Sequence, residues 1–147
     1  MAKKFLVING PNLNLLGTRE TEIYGSQTLS EIESSTNNSL STLGFGAVET
    51  VWFQSNIEGE IVEKIHTALN ENYDCLVINP AAYSHTSVAI LDALKMLKIP
   101  VIEVHMSNTH LRDAYRQTKL TAKSSTIIME GLGSKAYLFG ILSQLIN

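Results

Sequence analysis

One cysteine in 147 residues, Cys75, has no partner for an internal disulfide. With no C-x-x-C pair, a zinc clasp and a dithiol switch are excluded as well, and a reducing compartment is expected. Basic residues are few and scattered: eleven Lys and Arg against fourteen Asp and Glu give a net charge of −3. No basic run is longer than Lys3-Lys4, so no nucleic-acid partner is expected. Long apolar runs are missing too. Only four apolar residues, Phe5 to Ile8, follow the basic start, too few for a secretory core. Nothing approaches the roughly 18 apolar residues that span a bilayer. A cytoplasmic setting with no membrane partner follows as an expectation, and the Asn37-Asn38-Ser39 sequon then has no role. There is no G-x-x-x-x-G-K-[ST] run, which excludes a P-loop nucleotidase. The first apolar run is followed neither by paired aspartates nor by a Ser/Thr-rich loop, which weighs against a phosphoacceptor or flavin module.

What is present is 44% hydrophobic residues, enough for one continuous core, and a single domain over residues 1–147 is expected. Short Val- and Ile-rich runs alternate with amphipathic segments. Strands are expected at Lys4–Asn9, Ala47–Gln54, Cys75–Asn79, Val101–His105 and Ser125–Glu130. Thr28-Leu29-Ser30-Glu31 and Ser55-Asn56-Ile57-Glu58 both read as capping boxes that start helices. The first helix would bury Leu29, Ile32, Leu40 and Leu43 before Gly44; the second, Ile61, Ile65, Ala68 and Leu69. A third would bury Val88, Leu91, Leu94 and Leu97 and stop before Pro100. A short polar helix over Leu111–Gln117 and a last one over Ser134–Ile146 complete the set. Five βα units with right-handed crossovers predict an α/β fold: an open, doubly wound sheet of five parallel strands, flavodoxin-like, with helices on both faces.

Ligands of such sheets bind beyond the carboxyl ends of the strands, and polar residues gather there. The clusters are Asn9 to Asn12, Gln54 to Asn56, Asn79 to Ala82 and Glu103 to Ser107. Each Asn or Ser alone serves equally as a helix cap. The irregular stretch from Gly10 to Gln27 is long for a compact domain and carries Arg19 and Tyr24, so either a lid over about residues 18–26 or a solvated loop fits it. Glu103 and His105 stand two apart on a strand, so their side chains share a face and the carboxylate can orient the imidazole for acid catalysis. His85 can donate to a ligand or cap its own turn. His66, among apolar helix residues, is surface or packing. A metal on His105 and His110 lacks a third ligand. Arg112 and Arg116, four apart on the expected polar helix, could clamp a carboxylate or merely face solvent. Gly131-Leu132-Gly133 is only a fragment of a dinucleotide fingerprint.

Five motifs, in order, carry a resemblance: Asn9-Gly10-Pro11-Asn12-Leu13-Asn14-Leu15-Leu16-Gly17-Thr18-Arg19, Tyr24-Gly25, Phe53 to Gly59, Ile78 to Ser87, and Glu103 to Asn108. They resemble the type II 3-dehydroquinate dehydratases over nearly the whole chain. That resemblance implies a flavodoxin-like fold, a dodecamer built as a tetramer of trimers, and anti elimination of water from 3-dehydroquinate without cofactor, metal or Schiff base. It makes Tyr24 the base for the C2 proton and Arg19 its loop partner. Asn12 holds the water that stabilises the enolate, and His105, backed by Glu103, protonates the leaving hydroxyl. Asn79, His85, Ser107, the Met106 backbone and Arg116 bind substrate, and Asp92 reaches the site from a neighbouring subunit. The chemistry is consistent with this: an ordinary phenol, pKa about 10, is ionised in about one molecule in a thousand at pH 7, so a base of this kind needs a cation beside it. The chain departs from the family pattern at Thr21 (commonly Pro), Ala81 (Gly), Gln117-Thr118-Lys119 (His-His-Ser) and Ala136 (Gly). A catalytically silent binder of a carboxylated polyol is the rival reading, separated from the enzyme by turnover.

Overall fold

Three strands are buried on almost every position because both faces of the sheet are covered. These are β1 (Lys4–Asn9), β3 (Cys75–Asn79) and β4 (Val101–His105), and they form the buried centre. β2 (Glu49–Gln54) and β5 (Ile127–Glu130) flank them as half-covered edges. All pairings are parallel and the order is β2-β1-β3-β4-β5. The computed structural model describes residues 2–147, in which both edge strands start two residues later than their apolar runs. Among these residues no helix is long and apolar enough to cross a membrane.

Strand periodicity divides the core in two. Phe5, Val7, Cys75, Val77, Ile102 and Val104 point to one face, under α2 (Leu29–Thr42) and α5 (Lys135–Leu142). Leu6, Ile8, Leu76, Ile78 and Val101 point to the other, under α3 (Glu58–Asn70) and α4 (Val88–Lys95). Thr28 caps α2 by accepting from the Glu31 amide at 3.1 Å, as its motif requires. The second motif behaves differently. α3 begins only at Glu58, and Ser55 instead accepts from the Ile57 amide at 2.9 Å and donates to Glu60 at 2.5 Å, a local turn that competes with a cap.

Three expected core positions, Leu43, Leu69 and Val88, are exposed and lie just outside their helix stripes, and His66 faces solvent. The long loop is not irregular throughout. It contains a 3-10 turn at Leu13–Leu15 and a one-turn helix, α1 (Thr21–Tyr24), with Thr21 at the first helical position, where proline is also favoured. The expected helix over 111–117 is two 3-10 turns, Thr109–Leu111 and Ala114–Gln117, broken at the extended Arg112.

The direction of the crossovers reverses between β1 and β3, and there the strand ends part. Gly10 sits in this crevice with its N–H donating to the Asn79 carbonyl at 2.8 Å; an added Cβ would lie 2.3 Å from the Pro80 oxygen. Only glycine lets the two loops meet so closely. Beneath them, the fully buried Tyr137 donates to Asn9 Oδ1 at 2.6 Å and accepts from Asn79 Nδ2 at 3.0 Å. This network fixes the floor of the crevice, since an unpaired buried polar group would cost about 1–3 kcal/mol. Asn9 is therefore a structural residue.

Candidate active site

A cavity of about 90 Å³ opens above that floor, lined by residues from the ends of β1, β3 and β4, by Arg19 and Tyr24 of the loop after β1, and by the 107–116 segment. A wider groove of about 650 Å³ runs along α2 but is lined mainly by Ser, Thr and Asn, and its one titratable side chain is Glu31. The chemistry lies in the smaller one. Asn12, Arg19, Tyr24, Asn79, His85, His105, Met106, Ser107 and Arg116 all line it.

His105 ends β4 and is 6% exposed. Its Nε2–H donates to Glu103 Oε2 at 2.7 Å, while Thr121 Oγ1 donates to the other carboxylate oxygen, Oε1. The strand spacing thus gives the same-face pair expected of it. Glu103 holds the ring by Nε2, which leaves Nδ1 for a ligand. His110 lies apart, exposed, with Nδ1 3.3 Å from Glu130, so the two histidines serve different carboxylates.

α1 lays Tyr24 against the cavity. The Arg19 guanidinium stacks over its ring at 5.0 Å and also pairs with Glu20 at 2.8 Å. The phenol oxygen itself accepts from Arg112 Nη1 at 2.6 Å, and that guanidinium also reaches Ser107 Oγ at 3.4 Å. Arg112 is a residue whose partner the sequence did not reveal, since 88 positions separate the two. The i, i+4 clamp with Arg116 does not form, because the helix that would carry it is broken. Both arginines nonetheless line the one cavity. Arg116 Nε is buried and makes no hydrogen bond with any described residue.

His85 Nδ1–H donates to the Thr118 carbonyl at 2.6 Å. Burial lowers its pKa below the ordinary value; the Thr118 carbonyl opposes this, and the charges of His105, Arg116 and Lys119 add to the lowering. Neutral His85 therefore presents Nε2 as an acceptor. Met106 gives its carbonyl to the Gly133 N–H at 2.9 Å, and its own N–H makes no hydrogen bond among the described residues. The glycine pair at 131 and 133 thus acts as a turn, both residues at positive φ. Asn12 is left-handed at φ 69°, its amide donating to Asn56 Oδ1 at 2.9 Å. Asn56 in turn accepts from Gln54, so the β2 cluster positions Asn12 and does not line the cavity. Asp92 lies on the exposed face of α4 and does not line its own chain's cavity.

Ala81 also lines the cavity, at φ 52°. An L-residue there costs about 1–2 kcal/mol, more than the added chain entropy of glycine. Ala81→Gly is expected to stabilise the protein by about 0.5–1 kcal/mol and raise Tm by about 2–4 °C. A thermal melt showing a lower Tm would contradict this account of the turn.

Comparison with known proteins places this geometry. The profile of the family described as Dehydroquinase class II matches residues 3–145. The 3-dehydroquinate dehydratase of Caldicellulosiruptor bescii is 49% identical over 139 residues, covering 95% of this chain and 94% of the relative. The catabolic 3-dehydroquinase of Emericella nidulans is 48% identical over 147 residues, covering 100% and 94%. The crystal structure of the type II dehydroquinase from Butyrivibrio crossotus superposes with a TM-score of 0.93 at 39% identity, over 99% of both chains.

Proposed function

The chain belongs to the class II dehydroquinase family, and from that premise we propose how its residues divide the work of dehydrating 3-dehydroquinate to 3-dehydroshikimate. The chain is a hydro-lyase of the shikimate or quinate route. One observation carries the assignment of roles: a tyrosine bracketed by two guanidiniums and a histidine backed by a buried carboxylate line the same small cavity.

Tyr24, as phenolate, removes the proton at C2, next to the ketone. Arg112 donates to the oxygen that carries the charge before transfer, and Arg19 stacks on the ring. The electron pair moves into an enolate, whose oxygen is stabilised by Asn12, directly or through a water. The enolate then expels the C1 hydroxyl as His105, in its imidazolium form with Nε2–H still on Glu103, delivers the Nδ1 proton to it and becomes neutral. The proton taken by Tyr24 returns to the imidazole through solvent, so one water leaves and both groups are restored. Glu103, held by Thr121, keeps the ring aligned through both steps. Arg116 takes the substrate carboxylate with its guanidinium, and Ser107, the Met106 N–H, Asn79 and neutral His85 take the hydroxyls. No step calls on a cofactor.

We read the assembly as a dodecamer, a tetramer of trimers. Asp92 lies on α4 in an i, i+4 stripe with the exposed Val88 and Met96, an arrangement that supports its donation to a neighbour's site. The setting we propose is the cytoplasm, a reading supported by the free thiol of Cys75, which burial pushes up to about 12 and so keeps protonated.

The test is the ultraviolet absorbance of the conjugated product on mixing with 3-dehydroquinate, with chelator and after borohydride treatment in the presence of substrate, over a range of protein concentration. Absorbance is expected to rise under both treatments, with specific activity falling only where dilution dissociates the assembly. Loss on borohydride would point to a lysine imine and remove Tyr24 from its role. Full activity from a monomer would remove Asp92 from the site.

A further inference from the structure

Arg112 and Arg116 are carried by a segment of two short 3-10 turns, yet both must sit within the cavity to a fraction of an ångström. The segment begins at Thr109 and ends at Lys119, and its two ends meet on one carboxylate. Thr109 Oγ1 donates to Glu130 Oε1, and Lys119 Nζ lies 3.2 Å from the same oxygen. His110 Nδ1 approaches the second oxygen at 3.3 Å. The cluster is mostly buried, with the Lys119 and Glu130 side chains 10% and 15% exposed.

Burial alone would raise the Glu130 carboxyl, but hydrogen bonds from Thr109 and Lys119, with the charges of Lys119 and His105, outweigh it and hold it below the ordinary range. Glu130 itself is fixed by the sheet: it closes β5 in register with His105 of β4. The pin therefore has the same base as the proposed acid. Inside the loop, Gln117 Nε2 donates to the Thr109 carbonyl at 2.6 Å, so the turns are tied internally too. Beyond it, the Thr118 carbonyl beside Lys119 is the acceptor for His85, and the Leu120 N–H donates to the Ser84 carbonyl at 2.7 Å.

We propose that Glu130 and Lys119 are a positioning pair for the dehydration: one buried carboxylate gathers both ends of the 109–119 segment and so holds Arg112 at the Tyr24 oxygen and Arg116 at the cavity. Neither residue touches a reacting atom. The proposal rests on the dehydratase reading of the cavity and adds to it the device that sets its arginines. An eleven-residue segment gathered at both ends on one carboxylate has fewer arrangements than one held by Thr109 and the 118–120 backbone bonds alone, and small misplacements in a site carry large kinetic costs.

Glu130→Gln keeps the shape and the acceptor for Thr109 but removes the ion pair, and Lys119→Met keeps the apolar stem. Each is expected to raise KM about tenfold and lower kcat about threefold, since ligand-binding Arg116 shifts more than the lid contact. The double variant is expected to be no worse than either single one, because both break one interaction. Lys119→Arg retains the charge and is expected within about twofold of the parent. Hydrogen exchange of the peptide spanning 109–119 is expected to quicken about tenfold in Glu130→Gln and Lys119→Met whatever the substrate. Kinetic constants unchanged within twofold, additive losses in the double variant, or unchanged exchange would each overturn the pairing. A parent protein that leaves 3-dehydroquinate unconverted, with exchange still quickened in the variants, would strike the dehydratase reading and leave the pin standing.

Discussion

Tyr24→Phe is expected to lower kcat by about a thousandfold, within the range that general acid–base groups contribute, with KM changed by less than about threefold. The substitution is narrow in what it removes. The ring stays, and with it the stacking of Arg19 at 5.0 Å and Arg112 at 5.4 Å, so the loop keeps its packing. Only the oxygen that accepts from Arg112 is lost. Arg112 keeps a contact with Ser107 Oγ, so its guanidinium is not stranded. A loss confined to kcat would mean that the oxygen acts in the transition state and not in holding substrate. The measurement is steady-state turnover by product absorbance, paired with calorimetric titration of a carboxylated substrate analogue. Turnover within tenfold of the parent would move the base elsewhere in the cavity.

The second large effect belongs to His105. His105→Ala is expected to lower kcat by about 10²–10⁴-fold, because the leaving hydroxyl departs without a proton. It should also destabilise the fold, unlike the Tyr24 change. Glu103 is fully buried, and without the imidazole its carboxylate keeps only Thr121. Stripping one partner from a buried pair costs about 3–5 kcal/mol. The two consequences separate by experiment: activity measured well below Tm reports the acid, and the melt reports the stranded carboxylate. A variant with normal Tm would show that Glu103 does not depend on His105, and one with normal kcat that the hydroxyl draws its proton from another group.

The parts of this protein that could be read along the chain are those governed by short-range rules. Strand positions followed from mainly apolar runs, because strands covered on both faces bury mostly apolar side chains. The start of α2 followed from Thr28 and Glu31, whose exchange of hydrogen bonds is complete within four residues. The Glu103 and His105 pair followed from strand periodicity alone. Where local rules competed, the reading slipped: Ser55 chose a turn with Ile57 over a cap, and Arg112 took an extended backbone that broke the expected helix. At Ala81 the backbone takes a positive φ that favours glycine, but no local pattern announces it.

Sequence by itself therefore determined the layered α/β architecture, the strand ends where a ligand belongs, the loop carrying Arg19 and Tyr24, and, through its five motifs, the family. The tertiary structure alone decided which groups meet. Arg112 bonds Tyr24 across 88 positions, Thr121 bonds Glu103 across 18, Tyr137 bonds Asn9 across 128, and Glu130 draws in Thr109 across 21. The physical reason is the parallel sheet. Its crossovers bring strand ends from distant parts of the chain to one edge, and the residues that converge there share no spacing that a one-dimensional pattern could record.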